Sequence, residues 1–401
     1  MSELTSVLVS KWKKNISSCL LLLFPVSLFL INCAQYSEGK GQQWSVRMAE
    51  SIMSRHPQGY GAWDYVTGTV LKGFEELWRK TEDDRYFQYI QKTVDAVVDS
   101  NGTIRGYKLS DYNLDEINEG RMLLFLYKET GQERYKKAAD LLRSQFDGQP
   151  RNSLGGFWHK KRYPYQMWLD GLYMGSSFYA EYGKLFNQPE IFDDVVKQFV
   201  LIEAHTRDEA SGLLYHAWDE EKAQAWANPE TGLSKIFWGR GIGWYAMALV
   251  DVLDYLPADH PGRKDVIAIL QRLAEAITKI QDDSTGVWWQ VADQPGREGN
   301  YLESSVSCMF VYALSKGVRK GYLDEKYKAV SQKGYQGILA QFITENPDGT
   351  INLTQTCSSA GLGYGRDGSY EYYVYQERRV DNDGKALGPF ITASLEMETN
   401  P

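Results

Sequence analysis

The sequence predicts an all-α protein, an (α/α)6 barrel in which six helical hairpins close into a ring. Three observations lead there: an apolar helix template that recurs five times, a short polar turn before each copy, and a Gly turn with a long loop after it. The template begins at Tyr86 (with Ile90, Val94 and Val97), Tyr135 (Ala138, Ala139, Leu142, Phe146) and Phe192 (Val195, Val196, Phe199). It returns at Val266 (Ile269, Leu270, Leu273, Ile277) and Tyr327 (Val330, Ile338). Turns such as "KTEDDRY", "ETGQERY" and "FNQPEIF" introduce the copies. "NGTIRGY", "LGGFWHK", "SGLLYHA", "TGVWWQV" and "DGTINLT" follow them, with Gly supplying the backbone freedom such turns need. Each loop leads into a second apolar helix, expected near 116–130, 172–186, 241–256 and 303–317. A first pair over about 43–81 and a last helix near 389–398 bring the count to about twelve. An open row of hairpins would be a solenoid with polar caps. The inner helices instead begin in segments rich in Trp, Tyr, Gly and Asp, which suit a central cavity. No linker or low-complexity stretch divides the array, so 35–401 reads as one domain.

Ahead of it, Lys11, Lys13 and Lys14 precede an apolar run over 19–31 that breaks at Asn32, Cys33 and Ala34. This reads as an export leader over 1–34. The run is shorter than the roughly 20 apolar residues of a membrane span. Ordinary cleavage near Ala34 and lipidation at Cys33 compete, so the expected location is the periplasm or a lipid anchor at the bacterial membrane. With Cys19 and Cys33 in the leader, Cys308 and Cys357 remain, too few for a disulfide framework; they read as buried or idle thiols, with a bridge between them left open.

A formal charge of -8 argues against nucleic-acid binding, which uses a basic stripe to neutralise phosphates, so any anionic ligand must be met locally. The 12 Trp and 27 Tyr exceed what a plain helical core needs and suit sugar rings, although both are also ordinary core residues. If the long loops gather at one mouth, the richest segments face one pocket: "GAWDYVTG" (Trp63, Tyr65), "YNLDEINEG" (Asp115), "FWHKKRYPYQMWLDGLYMG" (His159, Lys160, Trp168, Asp170), "LLYHAWDE" (His216, Trp218, Asp219) and "FWGRGIGWYA" (Trp238, Arg240, Trp244). Asp170, between Trp168 and Leu172 at a helix start, would be partly desolvated, which suits a carboxyl that must hold and release a proton. Helix capping is the competing role for Asp170 and for Asp115. Arg240 in its Gly-rich turn offers a planar, two-pronged partner for a sugar carboxylate, or a tie for the turn itself. His159 and His216 are hydroxyl or carboxylate binders, or satisfied interior histidines. The five histidines form no HExxH or close ligand pair, so no metal and no cofactor is expected. "GRGIGW" follows no predicted strand and lacks the context of a dinucleotide site.

"LDEINEG", "QMWLDGLYMG", "LYHAWDE" and "FWGRGIGWYA", in that order over about 63–395, resemble the unsaturated rhamnogalacturonyl hydrolases, glycoside hydrolase family 105, related to the unsaturated glucuronyl hydrolases of family 88. The resemblance implies a six-hairpin α/α barrel with Asp170 as general acid/base and Asp115 as a second acidic residue positioning the sugar and Asp170. It places Trp63, Tyr65, His159, Trp168, His216, Trp238, Arg240 and Trp244 around the unsaturated uronic ring. The implied partner is an oligosaccharide made by a polysaccharide lyase, its C4=C5 bond protonated at C4 and hydrated at C5. Competing readings are an unsaturated glucuronyl hydrolase for glycosaminoglycan or ulvan-type products, a His-centred sugar epimerase, and a non-catalytic glycan-binding toroid.

Overall fold

The computed structural model of the chain describes residues 43–399; the leader expected over 1–34, with Cys33, lies outside them. Twelve helical segments follow one another: α1 Trp44–Arg55, α2 Tyr65–Thr81, α3 Asp84–Asp95, α4 Gly120–Thr130, α5 Glu133–Gly148, α6 over 169–185, α7 Glu190–Thr206, α8 Gly239–Val252, α9 Arg263–Lys279, α10 Ser304–Arg319, α11 Lys326–Phe342 and α12 Gly384–Thr399. The periodic stripes are buried as the spacing requires: Tyr135, Ala138, Ala139, Leu142 and Phe146 on α5, and Val266, Ile269, Leu270, Leu273 and Ile277 on α9. The even-numbered helices are covered on far more of their surface. All of α8 is buried, as are 304–317 of α10 and 384–396 of α12, which is the signature of a helix with neighbours on every side.

Those inner helices form a closed ring. α2 packs on α4, α4 on α6, α6 on α8, α8 on α10, α10 on α12, and α12 returns to α2. The odd helices line the outside, each against the inner helix before it. One expectation changes here. α1 does not pair chiefly with α2; it packs on α12, so the sixth hairpin is made from the two ends of the described chain. The Ser45 backbone N–H and hydroxyl both donate to the Glu398 carboxylate, at 3.0 and 2.5 Å. Two helix starts also differ. The segment expected as one helix over 116–130 is a short 3-10 turn, Leu114–Glu116, followed by α4 from Gly120. α12 begins at Gly384, well before Pro389, with Asp383 accepting from the Lys385 N–H at 2.9 Å.

The end of the ring away from the inner-helix N-termini is plugged by charge. Asp251 on α8 accepts from Arg121 of α4 at 3.0 Å, and from Lys316 and the Tyr312 hydroxyl of α10, both at 2.7 Å. Arg121 also reaches Glu181 of α6 at 3.4 Å. Burial alone would raise the Asp251 carboxyl, but Lys316, Arg121 and Lys72 outweigh it and hold it well below the usual carboxylate range. Removing one partner of such a cluster leaves buried cations uncompensated. Asp251→Ala is therefore expected to cost about 3–5 kcal/mol in urea unfolding. Because the folded carboxyl lies below its unfolded value, its contribution is complete above about pH 4 and is lost as pH falls from there, so the variant's stability should also depend less on acid than the wild type's. An unchanged unfolding midpoint would show that the cluster is not a stabilising element.

Candidate active site

The long loops meet at the N-terminal ends of the inner helices, and short antiparallel ladders stitch them together. β1, Gln166–Trp168, pairs with β2, Ala217–Asp219, in a register that sets Trp168 opposite Ala217. One further bond, from the Leu169 N–H to the His216 carbonyl at 3.0 Å, carries the ladder to the start of α6. Asp170 and His216 are thereby brought together although 46 positions separate them, and His216 Nε2 lies 2.9 Å from Asp170 Oδ2. A second link, Asn113 opposite Lys160, brings the loop carrying Asp115 against the loop carrying His159.

Asp170 sits in the first turn of α6, 8% exposed, and makes no capping bond; Trp168 occupies the cap position. The helix runs as an α turn over Leu169–Gly171, a π turn over Leu172–Ser176 and an α-helix over Ser177–Leu185. Widened turns of this kind recur at functional sites because they re-aim side chains. A Cβ on Gly171 would come within 3.1 Å of His159 Nδ1, so glycine there lets α6 approach the histidine. Behind Asp170, His216 is fully buried, and its Nδ1 lies 2.6 Å from the Tyr373 hydroxyl. Burial raises the Tyr373 phenol well above its usual value, so that hydroxyl keeps its proton. In the tautomer whose Nδ1 accepts from that hydroxyl, the ring proton sits on Nε2 and is donated to Asp170 Oδ2. Asp170 Oδ1 has no hydrogen-bond partner among the described residues. Tyr373, His216 and Asp170 form a hydrogen-bonded chain that ends in an oxygen without a partner among the described residues.

Asp115 is a different carboxylate. It does not cap; Asn113 Oδ1 takes the Asp115 N–H at 3.1 Å. Its own oxygens meet His159 Nε2 at 3.2 Å and the Lys160 ammonium. Burial pushes its carboxyl up, but Lys160 and His159 prevail and hold it well below the ordinary range, so it stays ionised. Sharing one proton with Asp170 is not its role.

Aromatic rings wall the space. His159, Trp168 and Tyr163 stack nearly parallel, with Trp168 4.7 Å from His159 and 4.9 Å from Tyr163. Trp238 lies 4.6 Å from His216. Trp63 sends its indole N–H to the Glu116 carbonyl at 2.9 Å, tying the start of α2 to the Asp115 loop. Tyr65, the first residue of α2, lies edge-on to Trp244 at 6.3 Å, and Trp244 stacks on Tyr173 at 4.9 Å. Burial raises the Tyr65 phenol, and the charges of Asp115, Asp170 and Asp383 add to this while Arg240 opposes it.

Arg240, 1% exposed, ties a distant loop rather than its own turn. Nη1 donates to the Cys357 carbonyl and lies 3.9 Å from Glu303, while Nε has no protein partner. It thus holds the loop over 354–357 and keeps an unspent donor. Cys308 and Cys357 are both free and buried. Trp218 and Asp219 turn out to be framework: Trp218 stacks on His205 at 3.7 Å, and Asp219 accepts backbone N–H groups of 221–224. Tyr373, Tyr163 and Glu303 are the participants that spacing did not single out. The dense tyrosines of "SYEYYVYQ" are the one local signal for Tyr373, which stands 157 positions from His216.

A direct check concerns Asp115. In Lys160→Met its carboxyl should titrate at higher pH than in the wild type, read from carbon-13 carboxyl shifts; an unmoved titration would mean that Lys160 does not set its charge.

The sequence profile of Glycosyl Hydrolase Family 88 matches residues 44–400. A family 105 glycoside hydrolase of C. acetobutylicum ATCC 824 superposes with a TM-score of 0.87 at 48% identity, covering 89% of this chain and 100% of that one. The unsaturated rhamnogalacturonyl hydrolase YesR of Bacillus subtilis is 30% identical over 284 residues, 69% of this chain and 76% of its own length. Protein Atu3128 of Agrobacterium fabrum is 40% identical over 232 residues, 56% of this chain and 97% of that protein. The chain belongs to Glycosyl Hydrolase Family 88 and is a glycoside hydrolase of the unsaturated glycuronyl type that families 88 and 105 share.

Proposed function

We propose that the enzyme removes the terminal 4,5-unsaturated galacturonate from rhamnose in lyase-generated rhamnogalacturonan oligosaccharides. The observation that carries this reading is the relay ending at Asp170 Oδ1 beside a cluster of stacked aromatic rings, supported by the likeness to YesR. Asp170 and Asp115 are the catalytic pair. Trp63, Tyr65, His159, Trp168, His216, Trp238, Arg240 and Trp244 shape the pocket around the uronic ring.

The chemistry needs one group that gives and then takes a proton. Asp170 Oδ1 donates its proton to C4 of the enol ether, leaving cationic character at C5. A water adds to C5, and the same carboxylate removes its proton. The hemiketal so formed opens, the ring rearranges, and the neighbouring sugar leaves with its oxygen. No carboxylate attacks an anomeric carbon, so the spacing rules of ordinary glycosidases do not apply. His216 Nε2–H steadies the ionised Asp170 between the two transfers. The permanent charge of Asp115 suits it to accept a sugar hydroxyl and fix the ring. Arg240, through its unpartnered Nε, answers the uronate carboxylate.

The chain is proposed to act outside the cytoplasm, with 1–34 as leader and 35–401 as the catalytic domain, lipid-anchored at Cys33 or released by cleavage near Ala34. The mass of the mature amino end decides between these.

Hydration destroys the conjugated enoate, so ultraviolet absorbance of lyase-treated rhamnogalacturonan should fall in the presence of the enzyme. Asp170→Asn should lower kcat by about 10²- to 10⁴-fold, the usual range for a lost acid–base group. Absorbance that falls only with glycosaminoglycan or ulvan lyase products would move the substrate, and none with any product would refute the reaction. Tyr373→Phe removes the donor that sets the His216 tautomer. It should lower kcat while leaving KM nearly unchanged; equal effects on both would place Tyr373 in binding instead.

A further inference from the structure

The stack that walls the pocket does not stop there. Trp168 and Tyr163 are both buried, but Tyr163 meets Tyr364 at 5.7 Å, and Tyr364 is 74% exposed. A flight of rings therefore climbs from beside Asp170 to open solvent. The Arg162 guanidinium lies 5.1 Å from the Tyr163 ring and 5.7 Å from that of Tyr364, and the Tyr364 hydroxyl reaches the Arg162 carbonyl at 3.4 Å.

Arg162 also borders a cavity of about 640 Å³, lined with it by Lys160, Lys161, Asp111, Asn113 and Glu116. Lys160 belongs to this cavity and to the pocket at once, since its ammonium rests on Asp115. The cations are not evenly spent. Lys160 is neutralised by Asp115, but Lys161 makes one weak hydrogen bond, to the Ser110 carbonyl at 3.4 Å, and a ring contact with Tyr112 at 5.6 Å, and Arg162 makes only ring contacts among the described residues. On the acidic side, Asp111 is exposed, while Glu116 is half-buried, with its carboxyl raised by burial and one oxygen held by Asn113. Exposed aromatic faces suit sugar C–H surfaces, and a guanidinium with unused donors suits a carboxylate.

We propose that Arg162, Lys161 and Tyr364 form an outer subsite for a second uronate, two sugars beyond the unsaturated residue. This rests on the function proposed above. A rhamnogalacturonan fragment returns to galacturonate after the rhamnose, so a tetrasaccharide carries its next carboxylate along the aromatic flight and a disaccharide carries none. The outer subsite makes the enzyme prefer longer fragments over the disaccharide.

The test compares unsaturated disaccharide and tetrasaccharide on the wild type, Arg162→Ala and Tyr364→Ala. Both residues lie on the surface, so folding is not at stake. The wild type should favour the tetrasaccharide in kcat/KM, and a preference of this origin weakens as salt is raised. Arg162→Ala should lose about fivefold on the tetrasaccharide, the upper range for an exposed ion pair, Tyr364→Ala should lose in the same direction through its missing ring face, and both should keep their disaccharide values. A preference that survives both substitutions, or an equal loss on both saccharides, overturns the subsite. Calorimetric binding of the two saccharides to Asp170→Asn separates the two ideas. If the wild type turns over neither substrate, the proposed reaction fails on its own account. Tighter binding of the tetrasaccharide that vanishes with Arg162→Ala would still uphold the subsite, and equal binding of both lengths would refute it.

Discussion

Asp251 is the carboxylate on which three inner helices converge. It lies 11 positions beyond Arg240 on the same fully buried helix, about 16 Å down the ring axis. Six helices that face one another around an axis leave a channel, and a channel open at both ends could not keep water from a reacting centre. Asp251, Arg121 and Lys316 fill one end with charges that satisfy one another. Above them Arg121 lies 5.8 Å from the Tyr173 ring, Tyr173 stacks on Trp244, and Trp244 meets Tyr65. The floor of the pocket is thus the top of a continuous column whose foot is the buried ion cluster. An apolar plug would fill the same volume, but it would not oblige α4, α8 and α10 to meet at one point.

What the chain reveals before folding follows from which forces are local. The outer helices carry one apolar stripe each, so Tyr135 through Phe146 or Val266 through Ile277 declare both their helix and their buried face. Inner helices such as α8 are covered all round and announce only that they are buried; their ends must come from Trp238 or Glu303 at the loop junctions. The pairing of α1 with α12 has no local trace, because Ser45 and Glu398 meet only when every helix between them is in place. The site divides the same way. Asp170, Asp115, Trp168 and Arg240 stand in distinctive runs and could be named. Tyr373 could not, since its role depends on a π turn, Tyr372–Gln376, that lowers its hydroxyl onto a histidine from another loop.

The two carboxylates show how environment separates residues of one type. Asp115 meets Lys160 and His159 and stays charged, while Asp170 meets His216 beside the rings of Trp168 and His159. The charge on Asp115 is fixed by its neighbours, and a split of roles between the two carboxylates, which the sequence leaves open, follows from such a difference in surroundings. Arg240 shows how a structural bond can leave part of a guanidinium unspent. Its grip on the Cys357 carbonyl holds a loop in place, and that hold keeps Nε directed where the chain offers it no partner.

The clasp between α1 and α12 makes the order of the helices along the chain nearly arbitrary. In a closed ring the same neighbours would arise if synthesis started at another turn, for instance at Gly131 between α4 and α5, with the present ends joined. During synthesis in the present order, however, α2 and α10 wait with uncovered apolar sides until α12, the last helix, has been made. Until that moment the half-built ring has the sticky flanks of an unfinished solenoid, and the final helix acts as the keystone that turns an aggregation-prone arc into a barrel.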